Sequence, residues 1–207
     1  LAQDAAAVSG TSPWYLGMGL SKSQASIPDE TITVVDAVFS TALGSGITVV
    51  DKDERSTGLK VVLGYTFNRH FSVEGGYAVL GKPKANFDFR SGFSTIGAFN
   101  LEYSMTSIFA DAVGTMPLGE NWELLGRVGV NVGKTKINLN GSPLTLAISN
   151  DAREETKARE KFGAGVQYKF TPTMALRTEW EHYKMPDPFS DKLMDVNVAT
   201  ASFLYRF

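Results

Sequence analysis

Glu179 and Glu181 have the spacing that most invites a chemical reading. Side chains alternate sides along a strand, so two acids two positions apart share one face. A pair of carboxyls in a substrate cleft is what general acid–base hydrolysis uses. Gly133-Lys134-Thr135 looks like the end of a phosphate-binding loop. The glycine that such a loop requires five residues before Gly133 is Val128, and the segment lies in an alternating run rather than between a strand and a helix. His70 falls in a turn and His182 near a loop, with no second ligand type at metal spacing beside either. Both read as surface residues, and no metal centre is expected. A lipid-modifying enzyme would need a histidine or serine nucleophile facing the lipid, with a partner. His182 is the one candidate, and the sequence shows no partner for it. The run Asp151 to Lys161 mixes both signs and reads as a solvated hairpin extension, or else as a contact for lipopolysaccharide phosphates or a protein.

Composition removes further classes. The chain has 207 residues, enough for one ordinary domain. Without cysteine it has no disulfide, no thiolate metal site and no lipidated N-terminal cysteine. A net charge of -2 gives a nucleic-acid partner no electrostatic support. Hydrophobic residues make up 43%, with a mean hydropathy of -0.08. No apolar run approaches the ~18 residues that a spanning helix needs. The first seven residues, Leu1 to Ala7, look like a chain at or just past a signal-cleavage site.

The elements that must position any site are strands. Trp14, Leu16, Met18 and Leu20 alternate with Tyr15, Gly17, Gly19 and Ser21. The same period of two recurs over Leu59 to Phe67, Phe71 to Val79, a strand ending at Met116, Trp122 to Val132, Phe162 to Phe170, Met174 to Glu181 and Phe203 to Phe207. Short turns at Asn68 to His70, Pro117 to Asn121 and Thr171 to Thr173 alternate with longer segments at about 22–56, 81–100, 138–157 and 185–191. Eight strands with short turns at one end and long loops at the other are the pattern of a transmembrane barrel, whose even strand number puts both chain ends on the periplasmic side. Closure also removes sheet edges, which hydrocarbon does not tolerate. Thr31 to Val35 and Ile47 to Val50 are expected to extend strands beyond the membrane.

A soluble lipocalin-like barrel is the rival. It needs bulky apolar residues inside, whereas here the aromatics share one face and Gly, Ser, Gln, Lys, Arg and Glu the other. The reading is therefore all-β: an eight-stranded antiparallel up-and-down transmembrane β-barrel over 13–207, preceded by an N-terminal periplasmic segment over 1–12. Phe203, Tyr205 and Phe207 share one face of the last strand, as an aromatic girdle would. A final strand closing on Phe resembles the signal that outer-membrane assembly machinery recognises. A closed barrel is expected to run as a heat-modifiable band in detergent gels.

Asp111 tests the alternation. Counted from Phe109 and Val113 it points at lipid, where a carboxylate is expensive. If the hairpin turns on Gly119, however, residues 111 and 127 are directly opposite and share a face. Arg127 is inward by the alternation of Val128, Val130 and Val132. Asp111 is therefore expected inward beside Arg127, with a bulge within Ser104 to Ile108 to shift the strand's phase.

The chain resembles the OmpA-type eight-stranded transmembrane domain. The likeness rests on Trp14-Tyr15-Leu16-Gly17, Val73-Glu74-Gly75-Gly76-Tyr77 with Leu80-Gly81, Gly165-Val166-Gln167-Tyr168 with Thr171-Pro172, Leu176-Arg177-Thr178-Glu179-Trp180 and Tyr205-Arg206-Phe207. The resemblance implies a lumen gated by salt bridges, with Glu74 as the acidic gate residue, Arg177 as its basic partner, and Glu179 and Arg127 as further lumen charges. Two positions depart: Ala112 stands where the family places a lumen lysine, and Gln167 where it places a glutamate. Replacing Arg177 by Ala is expected to lower stability and raise conductance. The expected function is a structural, membrane-organising barrel of the Gram-negative outer membrane, not an enzyme, with no cofactor and a largely plugged lumen. The alternatives are a small-solute channel and a surface protein whose loops bind a partner. Outer-membrane lipid, lipopolysaccharide, the assembly machinery and an envelope protein are the expected partners.

Overall fold

The computed structural model describes residues 12–26, 46–53, 55–91, 94–142, 154–186 and 193–207. Every element in these residues is a strand: β1 (Trp14–Ala25), β2 (Gly46–Asp53), β3 (Arg55–Asn68), β4 (Phe71–Gly81), β5 (Lys84–Ser91), β6 (Ser94–Pro117), β7 (Trp122–Ser142), β8 (Glu154–Lys169), β9 (Met174–Pro186) and β10 (Leu193–Arg206). Eight of them, β1-β3-β4-β6-β7-β8-β9-β10, pair antiparallel in a ring that closes between β10 and β1. β6 is long enough to pair with two strands along one edge of the single sheet. Its second half pairs with β4 in the barrel, while its first half pairs with β5, which carries β2. Ile47 to Val50 thus fall in β2, and Thr31 to Val35 lie outside the described residues.

Register sets the barrel's width. Following direct partners from Tyr15 leads through Gly64, Glu74, Asp111, Gly129, Lys161, Tyr183 and Val196 back to β1 at Ala25, ten residues further up. Eight strands with this stagger give strongly tilted strands and an interior just wide enough for side chains to fill.

Burial inverts the order of a soluble protein. Leu20, Ile108 and Val128 are 67%, 62% and 63% exposed, while Lys60 and Lys161 are 2% and 0% exposed. Large apolar side chains on the outside with lysines inside are what lipid as solvent selects. Aromatic pairs cluster at the short-turn end. Trp14 packs edge-on against Tyr65 at 5.0 Å, Phe67 stacks on Phe71 at 5.6 Å, and Trp122 meets Tyr168 at 4.9 Å.

Three expectations change. Tyr103 already points inward and is 1% exposed, so alternation runs unbroken from Tyr103 to Val113 and β6 has no bulge within 104–108. The irregularity lies instead on β4, between Val79 and Gly81, where Gly81 takes a φ of +92°. The β6–β7 hairpin pairs Asp111 with Gly129 and Val113 with Arg127, so it turns about Glu120, midway between 111 and 129, rather than Gly119. Finally, the lumen is not uniformly polar. Leu80, Met105, Tyr183, Met185, Met194 and Val196 are buried on the same inward face as the charges.

Candidate functional site

Inward positions on six strands bring eight charged side chains together at mid-barrel: Lys60 on β3, Glu74 on β4, Asp111 on β6, Arg127 on β7, Lys161 on β8, and Arg177, Glu179 and Glu181 on β9. All are buried, at 6% exposure or less, and the four cations balance the four carboxylates. Glycine makes room for them. The direct neighbours of Glu74, Asp111, Glu179 and Glu181 include Gly64, Gly129, Gly165 and Gly163, which leave the long side chains free to cross the lumen.

Arg127 is the hub. Its Nη2 lies 2.8 Å from Glu74 Oε2 and also bonds Glu179, while its Nη1 lies 3.0 Å from Asp111 Oδ2 and 3.3 Å from Glu181 Oε1. Arg177 Nη1 donates to Glu74 Oε1, and the Tyr15 hydroxyl donates to the same oxygen. Lys60 reaches Glu179 at 3.1 Å and Glu181 at 2.7 Å. Lys161 reaches Asp111 and Glu181, the latter at 2.6 Å. A planar guanidinium presents a rigid fork of donors, which is why an arginine rather than a lysine can engage several carboxylates at once. An unpaired charge here would carry a large desolvation cost, so mutual pairing is what permits burial.

Asp111 and Arg127 are diagonal rather than directly opposite, and they still bond. Gln167 faces inward and bridges the network to the periplasmic end, accepting from Arg177 Nε at 2.9 Å and donating to Glu123 Oε2 at 2.8 Å. Ala112 lies on the outward face beside Val128, so a lysine there would not reach the lumen. The lumen lysines are instead Lys60 and Lys161, which the sequence reading did not single out. Lys60 could have been found, because it alternates with Leu59, Val61 and Leu63. Lys161 was hidden in the run assigned to a solvated extension. That run's described part, from Glu154, belongs to β8. Both oxygens of Glu179 and of Glu181 are bonded to buried cations, so neither carboxyl stands free among the described residues.

The outward sites carry little chemistry. His182 does have partners, contrary to the sequence reading: Nδ1 is 3.0 Å from Asn197 Oδ1, Nε2 is 3.2 Å from Asp195 Oδ1, and the ring stacks on Phe162. Its polar partners are thus a carboxylate and an amide, with no serine or threonine hydroxyl among them. His70 sits at the exposed β3–β4 turn beside Arg69 and the Thr115 carbonyl. Gly133-Lys134-Thr135 lies within β7, with Thr135 inward, and forms no loop. No group of three or more metal-ligating side chains occurs among the described residues. Phe203, Tyr205 and Phe207 are exposed on one outward face, with Tyr205 and Phe207 edge to face at 5.7 Å.

A family model described as the outer membrane protein β-barrel domain matches residues 1–207. A sequence search of curated proteins returns no match. Among solved structures, the chain is similar to Neisserial surface protein A at 14% identity, covering 96% of this chain and 99% of that one with a TM-score of 0.54. It is also similar to Ail, the attachment invasion locus protein of Yersinia pestis, solved in complex with the heparin analogue sucrose octasulfate, at 18% identity, 94% and 97% coverage and a TM-score of 0.50. The outer membrane protein OprG from Pseudomonas aeruginosa matches at 12% identity, 95% and 97% coverage and a TM-score of 0.50. Likeness at these identities speaks to fold and not to activity.

Proposed function

The chain belongs to the outer membrane protein β-barrel domain family, and from that premise we propose that it is a structural, membrane-organising barrel of the Gram-negative outer membrane with a plugged, charged lumen, leaking at most small ions. One observation carries this reading: four carboxylates and four cations pair with one another across the lumen at near-zero exposure. A solute pathway needs polar groups that face water, whereas these groups face each other. In planar bilayers the protein is expected to show small-ion leakage at most, and proteoliposomes carrying it should not swell in isosmotic sugar. Sugar-driven swelling would make it a solute channel and sink the plugged-lumen reading. In the same reading, the Phe203, Tyr205 and Phe207 stripe on β10 is the face that the assembly machinery engages.

Outward charge points to the lipid it organises. Lys22, Arg55, Lys134 and Lys136 face outward just beyond the apolar band at the long-loop end, and Lys184 there is paired with Glu160 at 2.9 Å. The short-turn end carries aromatics in the corresponding place. Lysines at that level complement the phosphates of lipopolysaccharide. Replacing Lys22, Lys134 and Lys136 by Gln should reduce the extra thermal stability that lipopolysaccharide confers over phosphatidylcholine, and high salt should have the same effect. Equal stabilisation of both forms by lipopolysaccharide would remove the collar from the proposal.

A second reading is supported by the long-loop end. β6 and β7 run 24 and 21 residues, and β5 and β2 widen the sheet there. A sheet raised above the lipid is a surface that a protein or a sulfated sugar could contact. Shortening β2 and β5 with the barrel still folded would separate an adhesive role from a purely structural one.

A further inference from the structure

We propose that the lumen is sealed by an apolar layer above the ion pairs, centred on Met105, Met185 and Met194, and that this layer rather than the Glu74–Arg177 pair holds the barrel shut. The proposal rests on the plugged-lumen reading and locates its barrier.

Position comes first. Leu80 lies six residues beyond Glu74 on β4, Met105 six beyond Asp111 on β6, and Met185 four beyond Glu181 on β9, all towards the long-loop end. Met194 on β10 is the direct partner of Met185. Leu80, Met185 and Val196 are 0% exposed, and Met105 and Met194 are 1% exposed. These side chains point into a lumen that holds no helix among the described residues, and they come from both walls. Unbranched methionines suit such a space, because they fill irregular gaps. Ser23 and Ser56 turn to the wall, where both hydroxyls bond the Leu80 carbonyl, while the buried polar residues that share this level are Thr135, directly opposite Met105, and Asn131, whose Nδ2 lies 4.0 Å from Met185 Sδ. Below the layer, the Lys161 ammonium sits 4.0 Å from the Phe109 ring centre and 4.9 Å from that of Tyr183, so aromatic faces cover the top of the charge network.

The ion pairs are poorly built as a latch. Glu74 bonds Arg127 as well as Arg177, Asp111 bonds both Arg127 and Lys161, and Glu181 bonds Lys60, Lys161 and Arg127. Breaking one pair leaves each carboxylate with another cation, and the remaining charges stay where they are. A permeating ion meets substitutes for its hydration among such groups. At an apolar constriction it sheds water and receives nothing in exchange, so that constriction is the higher barrier.

The test is conductance in planar bilayers, with folding verified for each protein by heat-modifiable migration. Met105→Ser/Met185→Ser/Met194→Ser should raise single-channel conductance by about tenfold or more over the wild type, while Glu74→Gln/Arg177→Gln stays within about twofold of it. If the triple variant does not fold, Met185→Ser/Met194→Ser removes the directly paired methionines and serves in its place. Opening by the charge variant but not by the serine variant would overturn the proposal and leave the plugged-lumen reading intact. A closed serine variant with a closed charge variant would overturn it as well. Wild type already conducting at the serine variant's level would instead overturn the plugged-lumen reading.

Discussion

Replacing Arg127 by Met is expected to destabilise the barrel by about 3–5 kcal/mol, the range for removing one partner from a buried charge cluster. Arg127 touches all four carboxylates of the mid-barrel cluster, and no other cation there touches more than two. Methionine keeps most of the side-chain length, so the loss is one of charge and hydrogen bonds more than of packing. Four carboxylates then face three cations in a space that water does not reach. Lysine should restore the charge balance without restoring the fork, and so recover only part of the loss. Adding Glu179→Gln to Arg127→Met rebalances the charge and should recover part by a different route. Non-additivity between the two substitutions measures their coupling. Urea unfolding in detergent, followed by tryptophan emission, reads the wild type, Arg127→Met, Arg127→Lys, Glu179→Gln and the double variant. A single substitution that costs less than about 1 kcal/mol would mean that the network is solvated or rearranges freely, and the plug would lose its hub.

The sequence carried the architecture because lipid enforces a strict rule. Within the apolar band outward positions are mostly apolar and inward ones mostly are not, so a period of two over short windows placed Glu74, Arg127, Arg177 and Glu179 on the inner face before any pairing was known. The diagonal contact of Asp111 with Arg127 was within reach of the same rule, but its register was not. A hairpin's centre depends on turn geometry, and the φ of +116° at Gly119 marks a turn whose axis falls one residue further on. Tyr103 misled the count, since an aromatic on a barrel strand is expected at the lipid face and this one is buried in the lumen. The apolar layer was hidden in part for the same reason. Met105 falls in the stretch where a bulge was expected and Met185 opens a segment read as a loop, so the period of two placed neither on the inner face. Lys161 shows the converse failure. Its neighbours are charged, so composition suggested a loop, and only the pairing of β8 with β7 and β9 turns it inward.

Gly129→Val should abolish the folded, heat-modifiable form, whereas Gly126→Val three residues away should leave it intact. Valine is a better strand former than glycine, so local propensity favours both substitutions, and only surroundings separate them. Gly129 faces the lumen between Asp111 on β6 and Lys161 on β8, as the direct partner of each. The missing side chain is what lets the Lys161 ammonium pass to the Asp111 carboxylate. A Cβ on Gly129 would lie well inside van der Waals contact with both the Ala110 carbonyl oxygen and the Asp111 side chain. The carbonyl belongs to the backbone and cannot yield without displacing β6. The carboxylate cannot yield without releasing Arg127 or Lys161. Gly126 faces outward, and a Cβ there would meet nothing within 4 Å. Lipid or detergent would accommodate its methyl groups at no cost. Equal folding yields for the two variants would show that the strands can spread at Gly129. A ring closed with a stagger of ten residues has no free edge to absorb such a spread, so the strain would have to travel round all eight strands.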